Sequence, residues 1–156
     1  MSTRSVERQQ DEIVVALLRR HAHRLSQSFD LPLRALYAEG PRVKRRYGIC
    51  YADGTIKIRL RSVRNGELLR ESSLVDTLCH ELAHLRHFDH GARFERLYHR
   101  ILEYARRHGV YRPGSPSRWQ IVEAEPALRV SAQPIPRRTP EVVVPRPPGP
   151  VQLELF

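Results

Sequence analysis

The segment His80-Glu81-Leu82-Ala83-His84, followed by His90, constrains this chain more than any other stretch. On an α-helix, positions i and i+4 share a face about one turn apart, so His80 and His84 offer two imidazoles to a single metal ion. Glu81 lies beside them, close enough to hold a metal-bound water rather than the metal. Asp89-His90-Gly91 reads as a turn, with Gly91 permitting the bend that carries His90 back over the metal. His87 competes for the same role, because i+3 from His84 is a usable direction on a straight helix; the turn gives His90 the approach from outside. Three protein ligands with one open position make a catalytic zinc site, whereas a structural site is closed by four. The five-residue pattern alone recurs by chance, and the third His in a helical segment makes it specific.

The flanking sequence predicts what holds that helix. Leu74, Leu78, Leu82 and Leu85 form an apolar stripe, and Ser72 or Ser73 is the expected N-cap, with Ser73-Leu74-Val75-Asp76 close to a capping box. Cys79, next to His80, reads as a small buried hydrophobe. A final helix is expected from Ala92 to His108, burying Phe94, Leu97, Tyr98, Ile101 and Ala105 and ending at Gly109. Upstream, Asp11 to Phe29 is amphipathic through Val14, Leu17, Leu18, His21 and Leu25, with Arg19, Arg20 and Arg24 opposite; Pro32 ends it. Leu33 to Tyr37 is a short candidate strand. Arg42 to Leu60 reads as a hairpin turning at Asp53-Gly54, in which Ile56, Ile58 and Leu60 alternate with Lys57, Arg59 and Arg61.

The net charge of +10 on 156 residues favours a polyanionic partner. Arg42, Lys44, Arg45 and Arg46 are the densest basic cluster and the candidate DNA-binding residues, with help from the helix arginines and with Tyr47 and Tyr51 able to stack on bases. A solvated strand face protected by charge is the alternative for the same residues. No apolar run is long enough to span a membrane, and the polar stretch Met1 to Gln10 has no apolar core of a signal peptide. Cys50 and Cys79 are too few for a disulfide framework or a four-Cys zinc ribbon, which points to reduced thiols in a cytoplasm.

After Tyr111 the composition shifts. Ten prolines lie between Arg112 and Pro150, which predicts a mostly disordered, partly extended tail with Trp119, Ile121 and Val122 docking locally. The chain then closes on the apolar Gln152-Leu153-Glu154-Leu155-Phe156, which either folds back on its own domain or binds a partner.

His80-Glu81-Leu82-Ala83-His84 with His90 and Phe94 resembles the active-site segment of the SprT-like zinc metalloproteases and of their WLM and YgjP-like relatives. Arg46-Tyr47-Gly48-Ile49-Cys50 is similar to the Trp-Gly-Ser-Cys segment of the YgjP-like branch, with Tyr47 and Ile49 in place of Trp and Ser. The resemblance implies a compact, zincin-like α+β domain: an N-terminal helix, a small antiparallel sheet, the His-Glu helix and a C-terminal helix. It implies Zn2+ on His80, His84 and His90, with Glu81 as general base. Family members digest proteins crosslinked to DNA. Gln152-Leu153-x-Leu155-Phe156 is similar to the peptide by which bacterial proteins bind the replicative sliding clamp. The resulting expectation is a protease domain over 11–112, a Pro-rich linker over 113–150 and a clamp-binding peptide over 151–156. The chain is expected to act in the cytoplasm on the nucleoid, with DNA, DNA-bound proteins and the clamp as partners and no membrane. A non-catalytic clamp-associated zinc module and a general zinc peptidase without a DNA role are the alternatives.

Overall fold

A computed structural model describes residues 2–120. The element order is α1 (Thr3–Ser28), β1 (Ala35–Ala38), β2 (Gly48–Cys50), β3 (Thr55–Ile58), α2 (Glu71–His84) and α3 (Ala92–Arg107). The architecture is α+β, and α2 is its hub: it contacts α1, α3, β2 and β3. Leu74, Leu78, Leu82 and Leu85 are all buried, so the predicted stripe is the one that anchors it. Its other side is buried as well, because α3 and the sheet cover Cys79, Glu81 and His84.

The sheet differs from the antiparallel one expected. Its order is β1-β3-β2, with β1 parallel to β3 and β2 antiparallel to it. Alternation of side chains marks which residues face the core, but it carries no information about which strand is the neighbour. The hairpin turn is where it was expected. Gly54 has φ +93°, and a Cβ there would lie 2.5 Å from the Pro32 carbonyl oxygen, so both conformation and space demand glycine. β2 is left as an edge strand.

Three local expectations are corrected. Helix α1 begins at Thr3, eight residues before Asp11, because polar residues 3–10 continue the helix without contributing to its apolar stripe. Neither Ser72 nor Ser73 caps α2; both lie inside its first turn, and the backbone N–H of Glu71 is taken instead by Ser117 Oγ at 2.9 Å. Arg59, expected on an outer basic face, is buried: it donates to the Val43 carbonyl at 3.0 Å and its guanidinium lies 5.3 Å from the Tyr47 ring centre.

Packing also continues past Arg112. Ser117 and Trp119 are buried, and the Arg118 backbone N–H donates to Glu71 Oε2 at 2.9 Å while its guanidinium bonds Glu71 Oε1 and the Gly109 carbonyl. Residues 113–120 therefore belong to the packed body. Ile121, Val122, the rest of the 113–150 linker and the 151–156 peptide lie outside the described residues.

Candidate metal centre

Helix α2 sets His80 and His84 one turn apart, and the loop from Leu85 to Gly91 returns His90 to face them. The three Nε2 atoms converge: His80 to His84 is 3.2 Å, His84 to His90 is 3.1 Å and His80 to His90 is 3.3 Å. Tetrahedral zinc with bonds of ~2.0–2.1 Å needs nitrogens about 3.3 Å apart, so the spacing fits. The donor chemistry fits too. His84 Nδ1 lies 2.9 Å from the His87 carbonyl oxygen, which can only accept, so Nδ1 carries the proton and Nε2 presents its lone pair. Three imidazole nitrogens converging on one point are the donor set that a single cation can draw together.

His87 thus enters through its backbone and not its ring, and His90 occupies the third place. Among the described residues, His80, His84 and His90 are the cluster able to hold a metal ion, and Glu81 is not part of it. Glu81 is fully buried beside it. What lets the sheet approach that carboxylate is Gly48, at the start of β2. A Cβ at Gly48 would lie 2.9 Å from Thr77 Cγ2 and 3.0 Å from both Cγ and Oε1 of Glu81. Sequence reasoning noticed this glycine only inside a family-like segment; its packing against Glu81 joins residues 33 positions apart and leaves no local signal.

Phe94 underlies the cluster. Its ring stacks on His84 at 4.4 Å between centroids and meets His80 and His90 edge-on at 4.8 and 5.0 Å. Tyr98, one turn further along α3, packs edge-on against His80 at 5.5 Å, and its hydroxyl donates to Asp76 on α2. Burial pushes that hydroxyl's pKa well up, so it remains a donor across the neutral range. Tyr98 is thus committed to Asp76, whereas of the two tyrosines expected to stack on bases Tyr47 lies beneath Arg59 and Tyr51 is exposed beside Lys57. Burial likewise pushes the Cys79 thiol up, in keeping with its reading as a small hydrophobe.

The WLM domain matches residues 8–138, most of the chain. The chain belongs to the WLM domain family. That family is one of metalloproteases. The fold is similar to that of Wss1 from Saccharomyces cerevisiae, at 20% identity and a TM-score of 0.56 over 62% of this chain and 79% of that one. A Wss1 mutant from the same yeast superposes with a TM-score of 0.59 at 18% identity, covering 67% of this chain and 86% of that one. Wss1 from S. pombe shows 23% identity and a TM-score of 0.54, over 63% and 82%. No curated protein matches in sequence. Of the related families that the sequence resembles, the match is therefore to WLM.

The basic loop of this WLM domain divides in two. Arg42, Lys44 and Arg45 are exposed on the connection between β1 and β2. Arg46 instead donates through Nε and Nη2 to Glu39 Oε2 at 3.1 and 3.0 Å, with the Glu39 side chain 4% exposed. Arg19, also considered for DNA, donates to the Leu36 carbonyl at 2.9 Å and stands over Tyr37, so it ties α1 to β1. No helix among the described residues is long and apolar enough to cross a membrane.

Proposed function

We propose that this WLM domain is a zinc-dependent endopeptidase that acts on DNA-associated proteins, in the repair of DNA–protein crosslinks. The observation that carries this reading is the convergence of three imidazole Nε2 atoms within 3.3 Å of one another beside a buried Glu81. His80, His84 and His90 would hold Zn2+. When bound, such an ion acidifies a water and polarises a carbonyl. Glu81 takes the proton of the attacking water on its carboxylate and returns it to the leaving amine. The His87 carbonyl fixes the tautomer of His84, and Phe94 fixes the planes of all three rings.

Exposed Arg42, Lys44 and Arg45 lie just upstream of β2, the strand that passes Glu81. Phosphate contacts there would bring DNA, and whatever is attached to it, to the metal centre. Recruitment would come from Gln152, Leu153, Leu155 and Phe156 on the bacterial sliding clamp. Leu155 and Phe156 would fill an apolar pocket, with the Gln152 amide at its rim. That part rests on the sequence pattern alone. The setting would be the cytoplasm, on the nucleoid.

The test uses zinc-loaded full-length protein on a DNA-crosslinked protein and on casein, each with and without DNA. The crosslinked substrate should be cut, and DNA should accelerate it. Glu81→Gln should retain zinc and lose at least about 100-fold in rate, since the amide cannot accept the proton. Casein cleavage indifferent to DNA would favour the general peptidase, and a zinc-loaded protein that cuts nothing would favour the non-catalytic module. For the tail, a fluorescent peptide ending in Leu155-Phe156 should bind clamp at micromolar Kd, about −8 kcal/mol, and lose binding when both are changed to Ala.

A further inference from the structure

A cleft of about 640 Å³ opens at the end of β2, lined by Ile49, Cys50, Tyr51, Ala52, Phe88 and Asp89. One wall is β2 and its turn. The other is the loop between α2 and α3, whose next residue is His90. Its lining is almost wholly apolar or aromatic, with Asp89 as the one acidic residue on its wall. Tyr51 and Phe88 remain 38% and 40% exposed on its two walls, although the chain carries a net charge of +10 and a largely basic surface.

The cleft continues an edge that begins at the catalytic base. Arg59 N–H donates to the Tyr47 carbonyl and Tyr51 N–H to the Thr55 carbonyl, with Ile49 opposite Lys57 between them. Alternation along an antiparallel ladder then turns the N–H and C=O groups of Gly48 and Cys50 to the side away from β3. Gly48 lies against Glu81, and Cys50 lines the cleft. An extended polypeptide added to this edge passes the base and the cleft in one register, and every second side chain points the same way.

We propose that the cleft is the pocket that selects substrates, taking one large apolar or aromatic side chain of an extended polypeptide paired with β2. The identity of the occupant rests on the protease reading. What is added is the substrate class: locally extended protein segments with a Leu, Met or Phe at one fixed position near the scissile bond. Asp89 at the rim disfavours an acidic residue there.

The test is a set of alanine-based peptides in which one Leu, Phe, Ala or Asp is walked along the sequence. Cleavage by zinc-loaded full-length protein and binding to its Glu81→Gln form are both measured. One register should prefer Leu and Phe over Ala by at least about tenfold in kcat/KM and in Kd, with Asp worst, as burial of a large apolar side chain provides. Ala52→Arg and Phe88→Ala, checked for full zinc content, should erase that preference, bringing the Leu and Phe peptides down to the level of the Ala peptide in the same variant. Equal rates for all residues, or variants that slow every peptide alike, overturn the proposal. Preferential binding without any cleavage keeps the cleft and removes the protease reading; cleavage blind to the residue does the reverse. Binding that appears only after Leu155 and Phe156 are both changed to Ala would make the chain's own C-terminus the occupant and overturn the substrate assignment.

Discussion

His90 and His87 show how much a single residue's role depends on its setting. Both are histidines near His84, yet one contributes Nε2 to the cluster and the other a carbonyl to His84 Nδ1. His90→Ala should therefore abolish stoichiometric zinc, while His87→Ala, which keeps the carbonyl, should retain it. Zinc measured on both purified variants checks this, and the opposite pattern would reverse the assignment. Gly48 makes a second prediction. Gly48→Ala forces a methyl against Thr77 and Glu81, an overpacking that costs on the order of 1–3 kcal/mol. The strain falls on Glu81 and not on the three histidines, so under the protease proposal zinc should stay bound while kcat falls at least tenfold and KM changes little. Unchanged kcat would show that Glu81 tolerates the displacement.

At the scale of elements, the N-terminus of α2 is held from outside the helix. Ser117 Oγ accepts the Glu71 N–H, and Glu71 in turn pairs with Arg118, near which His21 of α1 lies at 3.5 Å. Burial, and then the charges of Arg118, Arg20, Arg24 and Arg112, push the His21 pKa down to about 4. The unfolded chain, with the ordinary value of 6.5, takes up a proton that the folded chain refuses. Stability from this source is complete above pH 6.5 and is lost as pH falls toward about 4, amounting to ~2 kcal/mol once partial screening is allowed for. His21→Gln, which cannot charge, should flatten the fall in Tm over that interval relative to wild type. An identical slope in both proteins would mean that other groups set the acid limit.

On the scale of the whole molecule, the +10 charge is not spread evenly in its availability. Arg19, Arg46, Arg59 and Arg118 are engaged by protein partners, whereas Arg42, Lys44 and Arg45 face solvent. Non-specific DNA binding should weaken steeply with salt, because each neutralised phosphate releases counterions. Changing Arg42, Lys44 and Arg45 together to Ala should lower affinity and reduce the slope of log K against log salt by about 3 × 0.9. Arg46→Ala should change stability more than the slope, since it leaves Glu39 buried without its partner. Binding assays from low to moderate salt distinguish the two. A slope unchanged in the triple variant would return these residues to a solvated face.

The three histidines that converge, the carboxylate beside them and the helices that carry them were legible in the sequence, because those features are local: an i, i+4 pair on one helix, a turn, an apolar stripe at helical spacing. Even the choice of His90 followed from a turn a few residues long. What required the tertiary structure joins distant positions. Gly48 beneath Glu81, Phe94 beneath three imidazoles, Ser117 capping α2 and Glu39 withdrawing Arg46 are contacts between separate segments, and periodicity is blind to them. Strand order belongs to the same class: Ile56 and Ile58 announce a buried face whether the neighbour is β1 or β2. Local spacing determines which side chains a segment can present together, and only the packing of segments determines what each of them meets.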